Sequence, residues 1–343
     1  MNILGVNAFH GDAAAALVID GKLVAAAAEE RFNRRKHCAG FPRLAIEYCL
    51  REAEIELQEL NYVGISRRPW AALHRKMWHV LKRGLLFSEN TLRSASSTAS
   101  VGSVRSIFDQ HWREGLSTHT SLHCVEHHLT HAASAFFVSS FDRAAILTLD
   151  GFGDFSSGLL ARGEGTHIKV LRRIHFPHSI GIYYTALTQY LGFPYYGDEG
   201  KVMALASFGK PKYLDEMRKL VRFDPKHLVL LNLEYYNHHS RGVAMTWREG
   251  TPTIGPLYTE SLTKLLGPAR QKGEPLNERF YDVAASMQIH LEEVVLQLVR
   301  HLAELTGETR LCLAGGVALN SVVNGRIRLE TPFKELFIKT KIL

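Results

Sequence analysis

The alternation of apolar and polar positions outlines the chain. Residues 3–7 read as a buried strand, a short loop through Phe9, His10 and Asp12 follows, and Ala14–Ile19 is a second apolar run. Asp20-Gly21 is a two-residue hairpin signal, because a tight turn between strands needs positive φ. A third strand runs through Lys22–Ala28. The same order returns at the centre of the chain. Residues 145–150 read as a strand, 151–154 as its acidic loop, and 157–161 with 168–174 as a hairpin about a glycine-containing turn. Laying one half on the other pairs Asn7 with Asp150, Phe9 with Phe152 and, with one insertion, Asp12 with Asp154.

Two such units predict a duplicated α/β fold of two lobes, 1–142 and 143–343, with a nucleotide and metal cleft between them. Actin-like and sugar-kinase-like ATPases, with ribonuclease H-like lobes, are built this way. Each lobe there offers the phosphates a loop whose backbone N–H groups form an anion-binding concavity. Helices are expected between the strands. One starts at Pro42, with Leu44, Tyr48 and Leu50 on its apolar face. A long one covers 281–305, with apolar residues at Val283, Met287, Ile289, Leu291, Val294, Val295 and Leu298. Later, Arg310–Ala314 reads as a strand, Gly315-Gly316 as a tight turn and 317–328 as a helix. That unit brings backbone close to an anion at a helix N-terminus, and it equally describes an ordinary strand-to-helix turn. Residues 67–120 carry no clear pattern, and 94–103, rich in Ser, Thr and Ala, read as a flexible surface segment.

Composition narrows the class. With 343 residues, 46% of them apolar and 22% charged, the chain suits a globular protein of one large or two ordinary domains. It has no run of about 18 apolar residues that would suggest a membrane span. The N-terminus lacks the basic start and long apolar stretch of an export signal. Four cysteines, Cys38, Cys49, Cys124 and Cys312, form no CxxC pair. This argues against a disulfide framework or a cysteine zinc site, and fits a reducing cytoplasm. The net charge of +7 admits nucleic acid or an anionic small substrate. The basic residues from Arg67 to Arg83, and Lys210, Lys212, Arg218 and Lys219, are dispersed among apolar ones. A solvated surface fits them better than a nucleic-acid stripe.

The sharpest chemical signal is Glu126-His127-His128-Leu129-Thr130-His131. His127 and His131 are four apart, so on a helix they share a face and can bind one metal. Asp150, at the end of the central strand, is the natural oxygen donor. Position 128 is His, so the HExxH pattern of metalloproteases is absent. Packing or surface histidines are the competing explanation. In the segment 196–206, Lys201 could meet a phosphate, and Glu199 could orient a hydroxyl or a metal-bound water. An incidental ion pair on a surface loop would look the same.

Six stretches together resemble the O-carbamoyltransferases of the nodulation-factor and antibiotic-tailoring type (NodU/CmcH-like). They are ILGVNAFHGDAAAALVIDG, AAEERFNRRKHCAGFP, EHHLTHAASAF, LTLDGFGD, GDEGKVMALASFGKP and LAGGVALNSVVNGRI, in that family's order over essentially the whole chain. The resemblance implies a biosynthetic enzyme. In that family a C-terminal YrdC-like domain makes carbamoyladenylate from ATP and carbamoyl phosphate. The actin-like domain then passes the carbamoyl group to a hydroxyl of a small-molecule or glycan acceptor. His127, His131 and Asp150 are implied to hold a divalent iron-type metal, Fe2+, although such a ligand set also accepts zinc or manganese. Asp12, Gly151, Gly153, Gly315, Gly316 and Asn320 are implied around the adenylate. Glu199 and Lys201 would lie near the reacting end, and His10 or His37 could serve as base.

The chemistry suits these residues. A Lewis acid polarises the carbonyl, a base takes the hydroxyl proton, and good positioning does much of the rest because adenylate leaves readily. Family members continue beyond Leu343, through an acidic glycine-rich loop that supplies a further aspartate to the metal. The chain is therefore expected to be a fragment, an interrupted gene product or half of a split enzyme, the last implying a separate YrdC-like domain or chain as partner. Two alternatives are a tRNA threonylcarbamoyl transferase-like protein and a non-catalytic nucleotide-binding module. The sequence does not disclose the acceptor.

Overall fold

The computed structural model describes residues 1–8, 11–68, 70–83, 104–243, 245–246, 252–271 and 273–339. The expected base His10 and the segment 94–103 lie outside the described residues. The chain divides into two compact units, one within Met1–Thr130 and the other beginning at His131.

The first unit is built on a five-stranded sheet of β1 (Asn2–Asn7), β2 (Ala14–Ile19), β3 (Lys22–Ala28), β4 (Tyr62–Ile65) and β5 (Ser121–Cys124). Its order is β3-β2-β1-β4-β5, with β1 antiparallel to β2 and parallel to β4. Along β1, Leu4 and Val6 are buried while their neighbours are not, as period-2 geometry requires. The helix Arg43–Glu52 lays Ala45, Ile46, Cys49 and Leu50 on this core. The buried Glu29 carboxylate accepts the Leu44 and Ala45 N–H groups at 3.2 and 2.8 Å. A negative charge there satisfies otherwise orphaned donors and suits the helix dipole.

The second unit repeats that plan. Apart from β11 (Met245–Thr246), whose Thr246 groups with the first unit, its strands are β6 (Arg143–Gly153), β7 (Ser156–Glu164), β8 (His167–His175), β9 (Val221–Asp224), β10 (Leu228–Leu231), β12 (Thr253–Ile254), β13 (Arg310–Ala314) and β14 (Glu335–Ile338). Its large sheet has the order β14-β13-β6-β7-β8, with β6 antiparallel to β7 and parallel to β13. Replacing β1 to β5 by β6, β7, β8, β13 and β14 reproduces the first sheet strand for strand. The predicted duplication is therefore real, and the fold is the duplicated actin-like, ribonuclease H-like α/β fold. The backbone repeats as well: Asp12 and Asp154 both take left-handed conformations, at φ 62° and 51°.

In β6 every residue from Ala144 to Leu149 is buried, so this strand is covered on both faces. The helix Glu278–Thr306 supplies much of the cover, and it encloses the span expected from sequence. It is capped by Asn277 and ended by Gly307 at φ 65°. Two expectations are adjusted. The strand continues through Gly153, with a register shift between Leu149 and Gly153, so residues 151–153 belong to β6. The helix expected over 317–328 is a 3-10 turn, Gly316–Leu319, followed by the helix Ser321–Glu330. The break falls at Asn320 because its side chain accepts the Val323 N–H and so caps the second segment. Among the described residues no helix is long and apolar enough to cross a membrane.

Candidate metal and nucleotide site

Asp150 stands near the C-terminal end of β6, where several backbones meet. Its Oδ1 accepts the Gly151 N–H at 2.7 Å. Beside it runs the Gly315-Gly316 turn that follows β13. A Cβ on Gly315 would lie 2.3 Å from the Leu149 carbonyl oxygen, and one on Gly316 would lie 3.0 Å from Asp150 Oδ1. Gly315 also sits at φ 92°, so both space and conformation demand glycine. On another side the helix Ile180–Tyr190 starts against the same strand. A Cβ on Gly181 would come within 2.6 Å of the Asp150 carbonyl oxygen. The buried Ser179 caps that helix by accepting the Ile182 N–H, and its hydroxyl donates to the Asp150 and Gly151 carbonyls at 3.0 and 2.8 Å.

His127 and His131 lie on the helix His127–Phe136, one turn apart as expected. The division between the units falls inside this helix, between Thr130 and His131. Its second half is anchored by Ala132, Ala135 and Phe136, all buried. The Phe136 ring occupies the place a side chain on Gly163 of β7 would fill, 2.6 Å from that Cβ position. His131 Nε2 then meets Asp150 Oδ2 at 3.1 Å. His127, His131 and Asp150 each offer one ligand atom, all within 4.8 Å of one another. His128 is fully buried.

His131 and Asp150 are spaced as two ligands of one divalent cation would be, with His127 within 4.8 Å of both. Ligand atoms about 2.1 Å from one metal, at angles between octahedral and tetrahedral, lie roughly 3.0–3.4 Å apart, and the His131–Asp150 separation falls in that range. Two imidazoles and a carboxylate suit iron, zinc or manganese.

The other expected residues are distributed as follows. Gly151 and Gly153 lie in the last part of β6, and Gly315 and Gly316 abut Leu149 and Asp150. Asn320 is buried and committed inward. It caps the following helix and exchanges two hydrogen bonds with Gln288, at 2.9 and 3.1 Å. Glu199 opens the helix Glu199–Leu205 and accepts the Thr185 hydroxyl at 2.7 Å. Lys201 pairs at 2.6 Å with Asp198, a buried carboxylate whose other oxygen accepts the Tyr195 N–H. Asp12 lies in the first unit, bonded to His37 Nδ1 at 2.8 Å.

The chain matches the family described as carbamoyltransferase N-terminus over residues 2–341. The chain belongs to that family. This carbamoyltransferase-family chain is 39% identical, over 98% of its length, to an uncharacterised protein (sll1178) of Synechocystis, covering 54% of that protein. It is 35% identical, over 97% of its length, to the nodulation protein NolNO of Sinorhizobium fredii, covering 44% of it. It thus spans about half the length of the curated relatives it matches. A solved structure, component A of (R)-2-hydroxyglutaryl-CoA dehydratase from Acidaminococcus fermentans, covers 99% of the chain and is covered to 92%, at 12% identity and a TM-score of 0.45. The fold assignment rests on the repeated strand order instead.

Sequence reasoning missed three residues that shape the surroundings of Asp150 and Lys201: Ser179, Gly181 and Asp198. Ser179 carried a readable signal, a serine directly before an apolar helical run. Asp198 stands three residues before Lys201, within reach for a pair at the start of a helix. Gly181 packs on a partner remote in sequence and left no local mark.

Proposed function

We propose that this chain is the transfer domain of an O-carbamoyltransferase, passing a carbamoyl group from carbamoyladenylate to a hydroxyl of a small-molecule or glycan acceptor. The adenylate would be made from carbamoyl phosphate and ATP elsewhere in the complete system. The observation that carries this reading is the convergence of His127, His131 and Asp150 beside the Gly315-Gly316 turn, in a chain of the carbamoyltransferase family.

A metal held by these three residues supplies a Lewis acid that makes the carbamoyl carbonyl more electrophilic. The chain's own residues do the positioning. Ser179 holds the backbone at Asp150 and Gly151, which fixes the carboxylate relative to His131. The side-chain-free Gly315-Gly316 turn lets backbone approach an adenylate, and the capped helix behind it favours an anion near its start. Lys201, more than half exposed, can exchange Asp198 for a phosphate oxygen.

The test is metal content and carbamoyladenylate binding by the purified chain, beside the double variant His127→Ala/His131→Ala. The wild type is expected to retain a stoichiometric divalent metal and bind the adenylate, and the folded double variant to lose the metal. A well-folded wild type that takes up neither iron, manganese nor zinc and binds no adenylate would refute the proposal.

A further inference from the structure

The basic residues from 67 to 83 are expected from sequence to lie on a plain solvated surface. The structure adds something to that surface. On the helix Leu73–Arg83 of the first unit, Leu73 is 49% exposed, Met77 55% and Trp78 68%, and Trp70, just before the helix, is 57% exposed. Four large apolar side chains this close in sequence and all open to solvent differ from the scattered single exposures normal on a protein surface.

Their placement around the helix is ordered. At about 100° per residue, Leu73 and Met77 lie about 40° apart and Trp78 about 100° beyond Met77. They mark out an apolar arc about 140° wide, with Lys76 about 60° outside one edge and Arg75 about 60° outside the other. The arc also contains His74. An amphipathic helix ordinarily turns its apolar side to the core. Here Leu73, His74, Arg75, Met77 and Trp78 are all exposed, and between 73 and 78 only Lys76 is half-buried. The surrounding sequence carries one sign of charge. From Asn61 to Ser88 it holds Arg67, Arg68, Arg75, Lys76, Lys82 and Arg83, and no Asp or Glu.

That charge decides what fits over the arc. A second copy of the chain, packing this face on itself, would set these cations against their own equivalents. Nucleic acid would satisfy the cations but leave Leu73 and Met77 against a charged backbone. An anionic bilayer answers both features. Aliphatic and indole groups enter the boundary between headgroups and acyl chains, while flanking cations meet lipid phosphates. Indoles favour that depth because the ring is apolar and its N–H is polar.

We propose that the segment 70–78 docks the protein peripherally on an anionic lipid surface, with Leu73, Met77 and the two indoles in the interface and Arg75 at the headgroups. The helix has 11 residues and lies along the surface, since crossing a bilayer takes about 20. Docking of this kind is independent of carbamoyl transfer, so the failure of either leaves the other standing.

The test mixes the whole chain with vesicles of phosphatidylcholine, alone or with phosphatidylglycerol added. It measures co-sedimentation and the quenching of tryptophan emission by lipids brominated on their acyl chains. Binding is expected to the anionic vesicles only, to weaken as salt is raised, and to bring acyl-chain quenching. Met77→Gln/Trp78→Gln should lower partitioning at least about 10-fold and remove most of the quenching. Arg75→Glu should lower it about 5–30-fold, the equivalent of one or two charges at the lipid surface. All three side chains are exposed, so the circular dichroism spectra should be unchanged. Absence of binding to anionic vesicles would overturn the proposal. So would equal binding to neutral vesicles, binding without acyl-chain quenching, or binding that survives Met77→Gln/Trp78→Gln. A chain that ignores vesicles but binds RNA in a way that Arg75→Glu weakens would assign the face to nucleic acid instead. Dimerisation that Met77→Gln/Trp78→Gln abolishes, without vesicle binding, would assign it to a second copy.

Discussion

Gln288→Leu should destabilise the second unit by about 2–7 kcal/mol, although leucine has nearly the right size. Gln288 is 4% exposed and links four groups. Its Oε1 accepts the Tyr184 hydroxyl at 2.8 Å and the Asn320 amide at 2.9 Å. Its Nε2 donates to Glu292 Oε1 at 2.7 Å and to Asn320 Oδ1 at 3.1 Å. After substitution Asn320 Oδ1 still accepts Val323, and Glu292 still holds Arg326 at 2.8 Å. The Tyr184 hydroxyl, the Asn320 amide and one Glu292 oxygen lose their partner at 288. Each such buried group costs about 1–3 kcal/mol, which sums to roughly 3–9. The buried leucine returns about 1–2 kcal/mol of hydrophobic transfer. Urea unfolding followed by far-ultraviolet circular dichroism measures the difference, and a double-mutant cycle with Asn320→Ala should show coupling of about 1–3 kcal/mol. A loss under about 1 kcal/mol, or additive effects in the cycle, would refute the view that the amide pair organises the turn leading from Gly315.

Ser179→Ala removes a buried cap and the donor to two carbonyls, and should lower stability by about 2 kcal/mol in the same denaturation assay. With iodoacetamide the native protein should label first at Cys124. Burial raises the Cys38 thiol and pushes Cys49 and Cys312 to about 11, and among the four only Cys124 is not buried. Burial, and then the charge of His227, hold His178 below its ordinary 6.5. The unfolded chain therefore binds the proton more readily, and stability should fall as pH drops through about 6.5, levelling once the folded form is protonated too. His178→Asn should flatten that part of the urea-midpoint profile against pH.

How much of this was legible depends on how local the cause is. The β1–β3 meander was readable because its apolar period and the Asp20-Gly21 turn are both local, and the helix Glu278–Thr306 because its apolar face repeats over many turns. The histidine pair was readable for the same reason, since a four-residue spacing on a helix is a statement about one face. What escaped notice are contacts whose partners are distant in sequence. Glu29 caps a helix that begins fourteen residues later in the chain. Asp12 and His37 are 25 residues apart and meet only because Ala13 and Cys38 bridge their loops. The expected helix over 317–328 was misjudged through local chemistry, since the apolar pattern outweighed the capping tendency of Asn320.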